Sequence, residues 1–564
     1  MENKEYMLID GNPVEINGEK NLLEVIRKAG IELPTFCYHS ELSVYGACRM
    51  CMVENSHGGM EAACSTVPKA GMEIYTNTER LHKHRKMILE LLLANHCRDC
   101  TTCQKNGKCR LQELASLFGL ESIRFKNLKP EPKLDTSSLS IIRDAHKCIL
   151  CGDCVRMCNE IQNVGAIDFV NRGSKMVIGP AFNEPIANSP CVGCGQCAAV
   201  CPTGAIVIRK DTGRVWPELN DKNTKVVAQV APAVRVAMAK EFGLPENENS
   251  MGRITAALRR LGFDEVYDTA TGADLTVLEE SNEFLQRIEA GENLPLITSC
   301  CPAWIQYCEK NHPELMKNIS TCKSPMQMFS SVIKAKYATS SRRVVCVAVM
   351  PCTAKKFECA REEFMHDGVP ETDYVITTQE LIQMIHKAGI VFEELEPEAV
   401  DSVFSTCTGA GVIFGVTGGV TEAVLRRLST DKSKKALMSI AFNDVRGMKG
   451  VKETTIPYGD KEVRIAIVSG LKNAEKVIQA LKNGEHFDFI EVMACPGGCV
   501  AGGGQPFGTN ATKEVRGKAL YSADKMLSIK RSEENPLMLS LYDGVLKGRV
   551  HELLHVHYNH KEEE

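Results

Sequence analysis

The chain lacks any run of about 18 or more apolar residues, so no transmembrane helix is expected. It also lacks an excess of positive charge. Lys and Arg number 67 against 71 Asp and Glu, a formal net charge of -4, which makes nucleic acid a poor candidate partner. The opening residues, Met1-Glu2-Asn3-Lys4-Glu5-Tyr6, contain no apolar stretch of the kind that begins a secretory signal, and a reducing cytoplasm is the compartment expected. No convincing dinucleotide or flavin fingerprint is present, so nicotinamide chemistry would need a partner chain. No cysteine follows Cys499.

The abundance is in cysteine before that point, 26 in 564 residues. In a small secreted chain such a number would read as disulfides. In a large chain with repeated Cys-x2-Cys spacing it reads as metal. The length exceeds what one core supports, so several domains are expected. Composition is otherwise ordinary for a globular protein, 44% hydrophobic and 24% charged.

Residues 1–80 are expected to form a first domain. Tyr6, Leu8, Val14 and Ile16 alternate around Asp10-Gly11-Asn12-Pro13, which predicts a β-hairpin, and a helix is expected near Leu22–Ala29. Cys37, Cys48, Cys51 and Cys64 follow. Their spacing resembles a plant-type 2Fe–2S ferredoxin, and more closely the variant at the front of respiratory complex I subunits and long hydrogenases. A structural zinc site is the alternative, although zinc ligands usually pair at shorter spacings. Residues 81–126 are expected to be a small helical domain. A helix over Leu81–Ala94 leads to His96, Cys100, Cys103 and Cys109, which resembles the His-plus-three-Cys 4Fe–4S site of the same families. Neutral imidazole in place of a thiolate would raise the cluster potential. Cys97 rivals His96 as a ligand, with the spacing favouring His96, and zinc again fits the donor set.

Residues 127–140 read as a linker at the start of a third domain, 127–210. There Cys148-x2-Cys151-x2-Cys154-x3-Cys158 is repeated as Cys191-x2-Cys194-x2-Cys197-x3-Cys201-Pro202. In this bacterial two-cluster ferredoxin pattern the fourth cysteine of each run binds the other cluster. One 4Fe–4S cluster would take Cys148, Cys151, Cys154 and Cys201. The other would take Cys191, Cys194, Cys197 and Cys158. Asn159 stands where the second run has its proline.

Residues 211–504 have a different texture. Val226–Val230, Val344–Val349 and Ile465–Ser469 read as buried strands, with helical stretches such as Gly252–Leu261 and Leu278–Glu289 between them. Alternation of this kind argues for an α/β domain with mostly parallel sheet. Three distant segments then each supply cysteine: Thr298–Trp304 with Cys300 and Cys301, Met350–Glu358 with Cys352, and Met493–Pro506 with Cys495 and Cys499. A disulfide needs two cysteines, and zinc rarely recruits from segments so far apart. Glycines 497, 498 and 502–504 suggest positive φ and close backbone approach to something bulky.

The three segments together resemble the active-site signature of iron-only (FeFe) hydrogenases, and the resemblance covers essentially the whole chain. It implies a multidomain α/β fold: a β-grasp 2Fe–2S ferredoxin-like domain, a small helical 4Fe–4S domain, a two-cluster ferredoxin domain and a large catalytic domain in two lobes around the active-site cluster. Residues 505–564 resemble the tail that is a separate small subunit in some hydrogenases; His551, His555 and His557 there read as solvated or packed side chains rather than ligands. The implied activity is reversible interconversion of protons, electrons and H2. The implied cofactors are one 2Fe–2S cluster, three accessory 4Fe–4S clusters and the active-site H-cluster. In that cluster Cys301, Cys352, Cys495 and Cys499 would hold a 4Fe–4S cubane. Cys499 would bridge it to a diiron unit bearing carbon monoxide, cyanide and a bridging dithiolate amine.

Carried over residue by residue, Lys355 would contact a cyanide ligand, and Met350 and Met493 would line the pocket. Pro232 and Ala233 match the cofactor-contacting loop, with Ala233 where some members have serine. Met326 stands where many have glutamine. Cys300 would relay protons, with Glu280, Ser320 and Glu283 behind it and Arg287 at the outer end. Glu280, Glu283 and Arg287 fall at i, i+3 and i+7 on one helix face. Without Cys300 that face would read simply as solvated. The remaining cysteines, Cys97, Cys308, Cys322, Cys346, Cys359 and Cys407, read as small buried hydrophobes; Cys407 lies in a stretch that resembles a loop near the cofactor.

The implied partners are ferredoxin, or a flavoprotein subunit of an NAD(P)-linked and electron-bifurcating complex, together with maturation enzymes for the diiron unit. The longest bifurcating relatives carry a further cysteine cluster that is missing here. A hydrogen sensor or an iron–sulfur assembly protein is the reading from another class. Sensors tend to lose the relay cysteine and assembly relatives lack the full three-part motif, whereas Cys300 and the complete motif are present.

Overall fold

The computed structural model describes residues 5–127, 134–429, 446–447, 450–458 and 461–558. The N-terminal hairpin pairs Glu5–Ile9 with Asn12–Ile16, and the turn is only Asp10-Gly11, both with positive φ. Two such residues match the right-handed strand twist, which is why the hairpin closes so tightly. Pro13 sits in the outer strand of a five-stranded sheet, where its missing N–H costs nothing. The helix Leu22–Lys28 buries Leu22, Leu23, Val25 and Ile26 against that sheet.

The second segment is the helix Glu79–Ala94, capped by the Thr78 hydroxyl, followed by the cysteine-bearing turns and the helix Arg110–Leu117. The expected linker over 127–140 is partly corrected. Residues 128–133 lie outside the described residues, but Asp135 is fastened by the Ile186 N–H at 2.9 Å and by Arg143 at 3.3 Å, and it exchanges backbone bonds with Arg143. A buried carboxylate with these partners makes 134–140 part of the third domain's wall.

The large α/β region holds two four-stranded sheets. One is wholly parallel, in the order Glu265–Asp268, Thr224–Val230, Arg343–Met350, Tyr374–Thr377. In the other, Leu296–Ile297, Phe489–Met493 and Lys461–Ser469 are parallel, and Val451–Tyr458 closes the edge antiparallel. Val347, Val349 and Ile376 fill the first core, and Val468, Ile490, Val492 and Trp304 fill the second. Runs of β-branched residues suit strands covered on both faces. Trp304 is 1% exposed, so truncating it to alanine would cost about 3–5 kcal/mol.

The candidate site segments lie in connections at the strand ends, as expected for parallel sheets. Ala231–Ala233 follow Val230, Pro351-Cys352 follow Met350, Thr298–Cys301 follow Ile297, and Ala494-Cys495 follow Met493. Pro302 and Pro325 each start a helix at the first position, where a missing N–H is harmless. The helix Ala270–Ala290 is longer than the predicted Leu278–Glu289 because Ala270–Val277 pack in the interior against Pro325–Lys336 and Gly409–Val412. The C-terminal segments Pro536–Asp543 and Val550–Leu554 pack in the same core as Leu275, Leu278 and Phe329. Among the described residues no helix is long and apolar enough to cross a membrane.

Candidate active site

Cys301, Cys352, Cys495 and Cys499 meet around one cavity of about 90 Å³. Cys300, Lys355, Met350, Met493, Met326, Pro232 and Ala233 line it as well, and so do Thr269, Phe414 and Gly415, which sequence reasoning missed. The walls are almost wholly apolar. Burial pushes Cys352 up to about 11 and Cys499 to about 12, and raises Cys301 and Cys495 too. Thiols kept protonated by burial need positive charge among them to become thiolates, and a polynuclear iron cluster supplies it. Four soft donors around an apolar cavity fit such a group.

Glycine makes the cradle close. Gly497 and Gly498 have φ of 94° and 88°, as the sequence suggested. Gly502–Gly504 do not use positive φ; their missing side chains make room for neighbouring backbone. A Cβ on Gly503 would strike the Cys194 carbonyl oxygen, and one on Gly502 the Pro351 carbonyl oxygen.

Lys355 is buried at the rim. Its Nζ lies 2.7 Å from Glu358 Oε2 and donates to the Cys300 carbonyl at 3.3 Å. Burial opposes its charge, but the Glu358 carboxylate outweighs that and raises its pKa. Glu358 was not singled out from sequence, although it sits one helical turn from Lys355.

Cys300 leads away from the cavity. Its thiol is pushed well up by burial, with the Glu280 charge adding to the effect. Glu280 is wholly buried, and neither carboxyl oxygen makes a hydrogen bond. The Ser299 N–H and Ser320 hydroxyl are near enough only to offset the burial slightly, so Glu280 rises to about 8, with Glu283 and Glu491 reinforcing the shift. The Ser320 hydroxyl donates to Glu283 Oε2 at 2.7 Å, and Arg287 Nη2 donates to Oε1 at 2.6 Å. The i, i+3, i+7 face is therefore turned inward at Glu280 and reaches half-buried positions at Glu283 and Arg287.

The other cysteines gather by domain. Cys37 is in thiol contact with Cys48, and Cys51 with Cys64. Cys148, Cys151, Cys154 and Cys201 line one small cavity, and Cys158, Cys191, Cys194 and Cys197 line another, so the crossed sets are each brought together. Cys109 lies near Cys103 and Cys100, whereas Cys97 lies near Lys147, Asp99 and Asp144. His96 is buried in the same segment. Among the described residues no three His, Cys, Asp or Glu side chains converge closely enough for a single metal ion. Cys308, Cys322 and Cys346 lie in hydrophobic cores, and Cys359 packs against one. Cys407 does not line the cavity; its thiol faces Asp268 Oδ2 at 3.8 Å.

Hydrogen bonds join these groups in sequence. Arg156 donates to the Cys37 carbonyl at 2.8 Å, the Cys97 N–H to the His146 carbonyl at 3.2 Å, and the Arg110 N–H to the Pro202 carbonyl at 3.1 Å. Thr353 Oγ1 donates to the Gly193 carbonyl at 2.7 Å, and Gln196 to the Ala501 carbonyl at 2.9 Å.

Comparison with known proteins agrees with this layout. Residues 224–503 match the family described as iron only hydrogenase large subunit, C-terminal domain, and residues 510–561 match the iron hydrogenase small subunit. Residues 6–79 match a 2Fe-2S iron-sulfur cluster binding domain, 85–124 the NADH-ubiquinone oxidoreductase-G iron-sulfur binding region, and 147–209 a 4Fe-4S dicluster domain. The chain is 41% identical to the NADP-reducing hydrogenase subunit HndD of Solidesulfovibrio fructosivorans, over 98% of each chain. It is 35% identical to iron hydrogenase 1 of Clostridium pasteurianum, over 98% of this chain and 99% of that one. The solved apo FeFe hydrogenase HydA1 of Chlamydomonas reinhardtii, a single-residue variant, superposes with a TM-score of 0.54 at 37% identity, covering 62% of this chain and 98% of that one. With full-length relatives at these identities and the cysteine constellation gathered around one buried cavity, the chain belongs to the iron-only (FeFe) hydrogenases, oxidoreductases that act on H2.

Proposed function

We propose that Cys301, Cys352, Cys495 and Cys499 hold the cubane of the active-site cluster, and that the cavity beside them takes the diiron unit. When bound, that unit supplies the redox centre at which H2 and protons interconvert. The protein's own residues hold it and move protons. Lys355 presents an ammonium to an anionic ligand of the unit, a charge-assisted contact kept by Glu358. Met326, Met350, Met493 and Phe414 exclude water.

The proton line starts at Cys300 Sγ in the cavity wall. Glu280 takes the proton from it and, through the Ser320 hydroxyl, passes it to Glu283, from which it leaves beside Arg287. The observation that carries this reading is the unbonded, fully buried carboxyl of Glu280 between the cavity thiol and the Ser320–Glu283 hydrogen bond. A carboxyl that burial lifts to about 8 can take and give a proton near neutral pH.

Electrons would travel through the Cys158/Cys191/Cys194/Cys197 cluster to its Cys148/Cys151/Cys154/Cys201 neighbour, and then to the His96/Cys100/Cys103/Cys109 and Cys37/Cys48/Cys51/Cys64 clusters. The count would be one 2Fe–2S and three 4Fe–4S accessory clusters in a cytoplasmic enzyme that exchanges electrons with ferredoxin. Similarity to an NADP-reducing hydrogenase subunit favours a second reading, in which a flavoprotein subunit takes those electrons to NADP. Infrared spectra of anaerobically matured protein test the centre. Sharp carbon monoxide and cyanide bands that change under hydrogen are expected. Their absence, with a known hydrogenase matured in parallel displaying them, would overturn the assignment. A flavoprotein that co-purifies would decide for the second partner.

A further inference from the structure

His555 makes a bridge that the proton line does not use. Its Nε2 lies 3.0 Å from Glu279 Oε2, and its Nδ1 lies 2.8 Å from Thr321 Oγ1. Thr321 is next to Ser320, and its backbone N–H reaches both oxygens of Glu283, at 3.1 and 3.0 Å. Glu279 precedes Glu280 on the helix but points elsewhere, toward Tyr542, whose hydroxyl donates to Oε1. The backbone fixes the same contact. The Lys323 N–H donates to the Leu554 carbonyl at 2.8 Å, the Val556 N–H donates to the Thr321 carbonyl at 2.7 Å, and Cys322 faces His555 across an antiparallel bridge.

These partners fix the ring's tautomer. Burial works to raise the Glu279 carboxyl, but the bonds from His555 and Tyr542 outweigh it and hold the group below its ordinary value. An ionised carboxylate only accepts, so Nε2 carries a proton. In the neutral ring Nδ1 then accepts, and the Thr321 hydroxyl donates to it. In the protonated ring Nδ1 donates, and that hydroxyl has to turn round.

Charged and titratable groups surround the ring. His551 stands with its ring centroid 4.8 Å away on the same tail, and Cys322 lies opposite. Behind Glu279 are Tyr542 and Arg427, each from a separate helix. On the flank Lys323 donates to Glu371 and to the Glu552 carbonyl. Glu283 and Arg287 lie beyond Thr321.

We infer that His555 is a positioning residue for the Glu283 carboxylate. Anchored by Glu279, it holds the Ser320–Cys322 segment in the pose that offers Glu283 one hydroxyl and one N–H. The inference rests on the proton line proposed above. It gives the C-terminal segment a part in turnover as well as in packing.

The test uses the matured full-length enzyme with His555→Phe and His555→Gln, assayed in both directions across pH 5.5–9 with a one-electron dye. Cluster content is followed by iron assay and infrared bands. Phe makes neither bond, so turnover should fall about three- to tenfold in both directions, with the dye KM and the clusters unchanged. Gln can donate to Glu279 and accept from Thr321, so it should restore much of the rate. Profiles that superimpose on the parent's in both variants would overturn the inference. So would loss of clusters in both, since His555 would then be only a fastening of the tail. Glu283→Gln in the same assay separates the failures. If it runs at the parental rate, the proton line falls. If it is slow while the His555 variants are normal, only the role of His555 falls.

Discussion

The hydroxyl of Ser320 donates to Glu283 at 2.7 Å while Arg287 holds the other carboxylate oxygen at 2.6 Å. Glu283 is thus pinned between an inner hydroxyl and an outer cation. Glu283→Gln keeps the shape and removes the acid–base group. Proton reduction should fall by about a hundredfold or more, with iron content unchanged. Hydrogen evolution from a reduced dye measures this, and a near-normal rate would take Glu283 out of the path.

Glu280 sets a pH limit. Burial, then the charges of Glu283 and Glu491, lift it to about 8, so it is loaded with a proton below that pH and empty above. Proton reduction should hold below pH 8 and fall about tenfold per unit above it. The same shift makes the folded chain bind more protons than the unfolded chain between 4.5 and about 8, so stability decreases as pH rises through that window. Glu280→Gln should abolish turnover and flatten this part of the stability curve, as read by denaturant unfolding at several pH values. An unchanged slope would contradict the assignment.

Glu358→Gln leaves the Lys355 ammonium buried without its carboxylate. Breaking a buried pair of this kind costs about 3 kcal/mol or more. A lower Tm and weaker retention of active-site iron are expected, with accessory clusters intact. A Tm equal to that of the parent would mean that the Cys300 carbonyl and the thiols suffice.

Arg156 joins two domains: it bonds the Cys37 carbonyl at 2.8 Å, the Ser43 carbonyl and Asp153 at 2.5 Å. Arg156→Ala strands a buried Asp153 and frees the N-terminal domain, for about 3 kcal/mol. Limited proteolysis should then release residues 1–80 first. A digestion pattern like the parent's would show that other contacts hold this joint.

The grouping of the cysteines was legible because the regular Cys-x2-Cys spacing repeats in each run. The placing of Cys158 among Cys191, Cys194 and Cys197 follows from it. Strands such as Val344–Val349, found as Arg343–Met350, were legible because their apolar runs are short and end at motifs. The start of the helix at Ala270 was not, since Ala270–Val277 mix small and polar residues whose helical state depends on packing against Pro325 and Phe329. Glu279 and His555 could not be paired from sequence. They are 276 residues apart, and neither has a local pattern that marks it for the other. The linker reading failed at Asp135 because one partner, Ile186, is 51 residues away and the other, Arg143, meets it through a bridge that no local pattern marks.

The close approach of Gly503 to Cys194 and Gly195 has an electrical consequence. At that point backbone meets backbone with no side chain interposed, so if the clusters sit as proposed the insulating gap there would be only two backbones thick. Electron tunnelling weakens exponentially with such a gap. A bulky residue at 503 would act as a spacer in a conductor, slowing current between the two iron–sulfur centres even if both stayed fully assembled. On that proposal the small size of the residue would be a setting of conductance as well as a condition of packing.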